Sequence, residues 1–199
     1  EIGSGLVGSE MCIRDSFYLY GFDEAYESTF RLMRKIFGEC KARAPGLLTV
    51  TTAYDLEFGT KNGLSDLVDC WVITIDQYIA NFERVKQARA AGRKIGHYTA
   101  CGPFAPYPNF FIEYSRTGQR LLTGFSAHAI DSDCFLYYSM FQFRTPVVEG
   151  EKKAFGQFKQ PLGSELLTSF GSNTYRDFNG DGNLLYPGPD RILPSTRLK

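Results

Sequence analysis

The amino-acid sequence predicts an α/β chain: the second half of a (β/α)8 TIM-type barrel, incomplete, with parallel strands and the helices outside. Three observations lead to that fold class. Short runs of aromatic and β-branched residues alternate with amphipathic stretches between residues 17 and 139, and strands that alternate with helices make a parallel sheet. The loops after these runs are rich in acidic, aromatic, Gly or Pro residues, as expected where barrel active sites form. A complete barrel takes about 250 residues. This chain has 199 and a long aperiodic stretch near its end, so half a barrel is expected.

Residues 1–16 carry no clear periodicity and no positively charged start to an apolar run, so they do not read as a signal peptide. They resemble translated sequencing-adapter sequence, and the fold reading starts at residue 17. The run Phe17-Tyr-Leu-Tyr-Gly-Phe22 reads as a strand, and the amphipathic segment 26–43 as the helix that follows. Strand 47–53, a short helix near 64–68 and strand 69–75 come next. They are followed by helix 77–91, strand 93–99, a Pro-rich loop over 101–109, helix 113–129 and strand 133–139. From Phe141 to Pro194 Gly, Pro, Asn and Asp abound and periodicity is weak, which predicts a long loop. Leu198 and Lys199 read as lying within a helix.

Composition bounds the function class. Twenty-two basic and 22 acidic residues give a net charge of zero, and the basic ones are scattered, which argues against nucleic acid as the main partner. No apolar stretch approaches the roughly 20 residues of a membrane span. Past residue 16 the cysteines are Cys40, Cys70, Cys101 and Cys134; their apolar surroundings and the absence of CxxC spacing predict buried free thiols. His97 and His128 lie far apart without a third ligand at helical spacing, so no metal is expected. No GxGxxG, P-loop or GxSxG motif occurs, so no nucleotide or other cofactor and no serine nucleophile are expected. Oligomeric state and compartment are left open, a secreted or endolysosomal location included.

The feature that carries chemistry is Asp23-Glu24, two adjacent carboxylates directly after the first strand. Taken alone, such a pair is also a common helix N-cap followed by an acid favoured by the helix dipole. The surrounding motifs change the balance. Tyr18-Leu-Tyr-Gly-Phe-Asp-Glu24, Cys101-Gly-Pro-Phe-Ala-Pro-Tyr-Pro-Asn-Phe-Phe111, Arg120-Leu-Leu-Thr-Gly124, Phe135-Leu-Tyr-Tyr-Ser139 and Gly180-Asp-Gly-Asn-Leu-Leu-Tyr-Pro-Gly188 occur in that order, with Pro194-Ser-Thr-Arg-Leu198 beyond them. In this ordered set the chain resembles glycoside hydrolase family 123 and its barrel relatives over nearly all of its length after residue 16. The resemblance implies a barrel running from about strand 4 to the start of helix 8 over residues 17–199. It also implies activity on terminal β-linked N-acetylgalactosamine, in a glycan or glycolipid, with Asp23 and Glu24 as the catalytic pair. The chain departs from many relatives in carrying Ala25 in place of Pro, and Tyr138 and Phe125 where Trp is frequent.

Adjacency constrains the mechanism. In the usual glycosidase two carboxylates flank the scissile bond, about 5–5.5 Å apart for retention and 6.5–9.5 Å for inversion. Successive side chains on a strand point to opposite faces, so Asp23 and Glu24 can meet one substrate only where the pleat breaks, and Gly21 is the expected place. Substrate assistance fits better: Glu24 as acid/base, Asp23 orienting the 2-acetamido group that attacks the anomeric carbon. Two alternatives stay open. One is a non-catalytic carbohydrate-binding barrel; the other is a glycosidase for non-acetamido sugars with a second carboxylate from Asp55, Glu57 or Asp76.

Aromatic and polar residues near strand ends supply substrate-binding candidates: Tyr54, Trp71, His97, Tyr98, Tyr107, Asn109, Tyr137 and Tyr138. Each has a core role as its ordinary alternative, and Tyr54 and Tyr98 stand out because they fall at carboxyl ends of strands. Asp177-Phe-Asn-Gly-Asp-Gly182 matches the first half of a calcium loop, but the twelfth position is Gly188 instead of Glu, so a plain turn is favoured.

Overall fold

The computed structural model describes residues 18–140, 180–187 and 190–198. Residues 1–17, the whole of 141–179, which is most of the predicted loop, and the Asp177, Asn179 and Gly188 positions of the calcium-loop match therefore lie outside the described residues. The elements are β1 (Tyr18–Tyr20), α1 (Glu27–Arg43), β2 (Leu48–Thr51), β3 (Cys70–Thr74), α2 (Ile75–Ala80), α3 (Phe82–Ala90), β4 (Lys94–Thr99), α4 (Arg116–Thr123), α5 (Phe125–Ala129), β5 (Phe135–Tyr137), β6 (Leu185–Pro187) and β7 (Ile192–Pro194). Strands β1 to β5 form one parallel sheet in chain order, with helices in every connection except that from β2 to β3, which is made of turns. Sequential parallel strands joined mostly through helices are the topology of a partial α/β barrel, as the alternation predicts.

The chain divides into two compact units, one comprising residues up to Ile73 with Gln77–Gly96, the other Thr74–Asp76 with the residues from His97 onward. In the first, α1 buries Phe30, Met33 and Phe37, apolar positions three, four and seven residues apart on one helical face. Glu27 in its first turn and Lys41 and Arg43 in its last suit the helix dipole. The Phe37 ring meets Phe22 edge-on at 5.2 Å. Gly21 exists for this contact, because a Cβ there would lie 3.2 Å from the Phe37 ring.

Strand β2 is tied to the start of β3 by polar bonds. Thr49 N–H and Oγ1 both donate to Asp69 Oδ2, at 2.7 and 3.0 Å, and Lys41 Nζ lies 2.6 Å from the same oxygen. Burial pushes the Asp69 carboxyl up, but Lys41 and the Thr49 donors outweigh it and hold it below its ordinary value.

Three helical expectations change in detail. The segment near 64–68 is a set of turns, with Leu67 and Val68 N–H both donating to Leu64 O at 3.0 Å; it lies between Gly63, at positive φ, and the start of β3 at Cys70, a stretch too short to nucleate a helix. The predicted helix 77–91 is two helices, α2 and α3, parted at Asn81, whose side chain donates to Gln77 O at 2.9 Å. A short amide competing for backbone carbonyls interrupts a helix in this way. The predicted helix 113–129 begins at Arg116 behind the Ser115 cap and breaks at Gly124 between α4 and α5.

The core of the second unit is Ile75, Phe110, Leu122 and Leu184, with Tyr107, Ile130, Phe135 and Tyr137 packed against it. Within the stretch expected to be loop, β6 and β7 pair antiparallel, Tyr186 opposite Leu193. Leu198, expected within a helix, lies in a turn closed by its N–H on Ser195 O. Cys40, Cys70, Cys101 and Cys134 are free thiols, but only Cys70 is buried; the others are half-buried. Among the described residues no helix is long and apolar enough to cross a membrane.

Candidate active site

Asp23 and Glu24 are both exposed and sit just past the carboxyl end of β1. The pleat breaks on either side of Asp23, at Phe22 (φ 61°) and Glu24 (φ 45°), and not at Gly21 as the sequence suggests. Left-handed backbone at non-glycine residues is strained, more so for a bulky aromatic, and persists only where neighbours impose it. Here the end of β2 does so. Gly21 N–H donates to Val50 O at 3.1 Å, Thr51 Oγ1 donates to Phe22 O at 2.8 Å, and Thr52 Oγ1 accepts Glu24 N–H at 2.8 Å. Tyr54 N–H then reaches Ala25 O at 2.8 Å.

The Asp23 carboxylate is engaged on one side. Tyr20 OH donates to Oδ1 at 2.5 Å and Thr52 Oγ1 donates to the same atom at 2.8 Å. Burial and the hydrogen bond to Asp23 push the Tyr20 phenol up to about 12, so it stays protonated and remains a donor through the physiological range. Around the pair lie exposed aromatic rings: Tyr20 is 45 % exposed, Tyr54 43 % and Tyr26 67 %. Tyr26 and Tyr54 contact each other with centroids 4.9 Å apart and planes tilted by 41°.

Two of the alternative carboxylates are committed elsewhere. Asp55 is buried and caps the following turn, accepting Glu57 N–H, Gly59 N–H and Asn62 Nδ2 at 2.7–2.9 Å. Glu57 Oε1 is held by Lys61 at 3.1 Å and Arg84 at 2.8 Å, and the Lys61 hydrogen bond leads in holding its carboxyl below the ordinary value. Asp76 stands in the first turn of α2 with one buried oxygen lacking a hydrogen-bond partner.

The chain matches the family model described as Glycoside hydrolase 123, catalytic domain, over residues 18–199. It belongs to the glycoside hydrolase 123 family. The chain is thus catalytic-domain sequence of a glycosidase, and carbohydrate is its substrate class. A comparison with curated proteins finds no match.

The other predicted residues of this family member fall into distinct settings. Trp71 in β3 is fully buried, edge-on to Phe58 at 6.3 Å. In the second unit Tyr98 is buried in β4, and His97 is fully buried, with Nδ1 2.9 Å from Ser132 Oγ and its ring against Phe135. Asn109 spends its amide on the Pro-rich loop, donating to Ala100 O and Pro103 O and accepting Phe110 N–H. Tyr107 is half-buried against the core. Tyr137 and Tyr138 meet at the end of β5, and both hydroxyls donate to the buried Asp181 at 2.9 Å, on its two different oxygens.

Asp181 is therefore an acceptor hub in a turn whose Gly180 and Gly182 have positive φ. Burial pushes its carboxyl up, and burial with the facing Asp181 charge pushes the Tyr137 phenol up as well. Arg197 fixes that turn from behind, donating to Phe110 O, Gly180 O, Asn183 O and Tyr186 OH.

Sequence reasoning missed Tyr20, Thr52 and Tyr26. The signal for Tyr20 is its place three residues before Asp23 in the same motif; Thr52 is marked only by falling at the end of the neighbouring strand.

Proposed function

We propose that this chain carries the catalytic pair of a retaining exo-β-N-acetylhexosaminidase, β-N-acetylgalactosaminidase-like, working by substrate assistance. The observation that carries the reading is the double inversion of φ at Phe22 and Glu24, which presents adjacent carboxylates in the open at a strand end. Asp23 accepts the acetamido N–H and orients the group. The acetamido carbonyl oxygen then attacks the anomeric carbon as the glycosidic bond breaks, and Glu24 delivers its proton to the leaving oxygen. Water next attacks the anomeric carbon of the oxazolinium ion, whose N–H Asp23 still holds, and the ring C–O bond breaks; Glu24 takes the water's proton, and the sugar leaves with its configuration retained.

The exposed Tyr54, with Tyr26 in contact, offers a face on which a sugar ring stacks. The donors already spent on Asp55 and the cations on Glu57 favour assistance by the substrate over a second protein carboxylate from these positions. The substrate is the terminal β-linked N-acetylhexosamine of a glycan or glycolipid.

The test is hydrolysis of an unactivated N-acetylgalactosaminide by the full-length parent protein and its Glu24→Gln variant. A loss of roughly 10²- to 10⁴-fold in kcat is expected for a proton-donating role, together with inhibition of the parent by a thiazoline analogue of the oxazoline. An unchanged rate in the variant overturns the assignment. Sugar binding with no turnover by the parent favours the non-catalytic barrel instead.

A further inference from the structure

Two hydroxyls from neighbouring strands converge on a single oxygen of Asp23, and this asymmetry has a chemical use. Tyr20 OH and Thr52 Oγ1 both donate to Oδ1, at 2.5 and 2.8 Å. A Thr hydroxyl has one hydrogen. With that hydrogen on Asp23, Thr52 receives the Glu24 N–H at 2.8 Å as an acceptor, so the bonds run one way, from Glu24 N–H to Thr52 and from Thr52 to Asp23. The Tyr20 and Thr52 oxygens are themselves 3.0 Å apart, which closes a triangle of three oxygens with Oδ1 at one corner. None of these bonds reaches Oδ2.

We infer that Tyr20 and Thr52 are positioning residues for the glycosidase reaction: together they fix the Asp23 carboxylate by Oδ1 so that Oδ2 receives the substrate's acetamido N–H. The inference rests on the acetamido-orienting role proposed above for Asp23. A carboxylate on a loop just past a strand end would otherwise rotate and present either oxygen, and a misdirected acetamido group is lost attack geometry, to which intramolecular reactions are very sensitive. Two charge-assisted hydrogen bonds to one oxygen remove that freedom, since such bonds are about twice as strong as neutral ones. Thr52 also binds the main chain of Glu24, so one side chain sets the orienting carboxylate and the backbone that presents the acid.

The experiment is a double-mutant cycle in the full-length parent, read with the 4-nitrophenyl glycoside of β-N-acetylgalactosamine. Tyr20→Phe should lower kcat by roughly 10- to 100-fold, the worth of a hydrogen bond to a charged acceptor, with KM little changed. In an Asp23→Asn background the same substitution should cost less than about threefold, because the group it steers is gone. Thr52→Val should reproduce the kcat loss, and Thr52→Ser, which keeps the hydroxyl, should restore most of it.

Equal losses from Tyr20→Phe in both backgrounds mean a merely structural role and overturn the inference alone. So does a Thr52→Ser protein as slow as Thr52→Val. A fully active Asp23→Asn protein removes the orienting role itself, and the inference falls with the proposed mechanism. If Tyr20→Phe fails to fold, the comparison of Thr52→Val with Thr52→Ser decides for or against the positioning role.

Discussion

Replacing His97 by Asn, and measuring stability at pH 7 and pH 4.5, tests how this fold treats a buried imidazole. His97 is fully buried, and burial pushes its pKa from 6.5 down to about 4. Nδ1 of the ring lies 2.9 Å from Ser132 Oγ, and a hydrogen bond to the Leu122 backbone offsets only part of the effect of burial, so the ring stays neutral well below its ordinary pKa. The sign follows from proton counting. Above pH 6.5 the ring is neutral in both folded and unfolded chains and contributes no pH dependence. Between 6.5 and 4 the unfolded chain binds a proton that the folded one refuses, so stability falls as pH falls and levels off below 4. Linkage gives a loss of about 2.5 kcal/mol at pH 4.5. Asn keeps a polar amide near the place of Nδ1 and does not titrate. Denaturant midpoints should therefore show wild type losing about 2.5 kcal/mol more than His97→Asn across this pH interval. Equal pH sensitivity of the two proteins would refute the buried neutral ring.

Two further outcomes concern the supports of the two polar clusters. Arg197→Met strips four acceptors of their donor and should cost about 3 kcal/mol or more in unfolding free energy; hydrogen exchange should show the first loss of protection over residues 180–187, and uniform protection would contradict the pinning role. Gly21→Val places a Cβ 3.2 Å from the Phe37 ring and should destabilise by about 1–3 kcal/mol through overpacking. Phe37→Leu in the same protein should recover part of that loss in the melting temperature, and no recovery would place the strain elsewhere.

What was legible in the sequence follows the physics of each element. Strands β1 to β5 are readable because aromatic and β-branched runs bounded by turn residues have few other uses, and Asp23-Glu24 is readable because it ends one of them. The function of Trp71 or Tyr98 is not readable. Strands of a parallel sheet are covered on both faces, so the sequence shows no alternation that separates a core-facing ring from a site-facing one, and both are buried. Strands β6 and β7 escape notice because each is three residues long and ends in Pro, and their order comes from Arg197 and from Leu184 and Leu185 N–H on Met140 O. Tyr20 and Thr52 share a site across 32 residues, a proximity that follows from strand pairing and from no local pattern.

The strained loop after β1 shows why a site of adjacent acids needs the second strand. Two non-glycine residues in left-handed backbone cost on the order of 1–3 kcal/mol each, and a chain free to relax would return Asp23 and Glu24 to opposite faces of a regular pleat. Val50 O, Thr51 Oγ1 and Thr52 Oγ1, three consecutive residues of the β2 end, each hold one point of that loop, at Gly21 N, Phe22 O and Glu24 N. The Phe22 ring is held separately, edge-on against Phe37 of α1. The threonines at 51 and 52 are thus used for their hydroxyls as well as for their β-branched shape. A Thr51→Val change keeps the strand former and should still release Phe22, whereas a Thr51→Ser change keeps the hydroxyl and should preserve the loop at some cost to the strand. It is the hydroxyl at the end of β2, more than the glycine after β1, that holds the strained loop presenting Asp23 and Glu24.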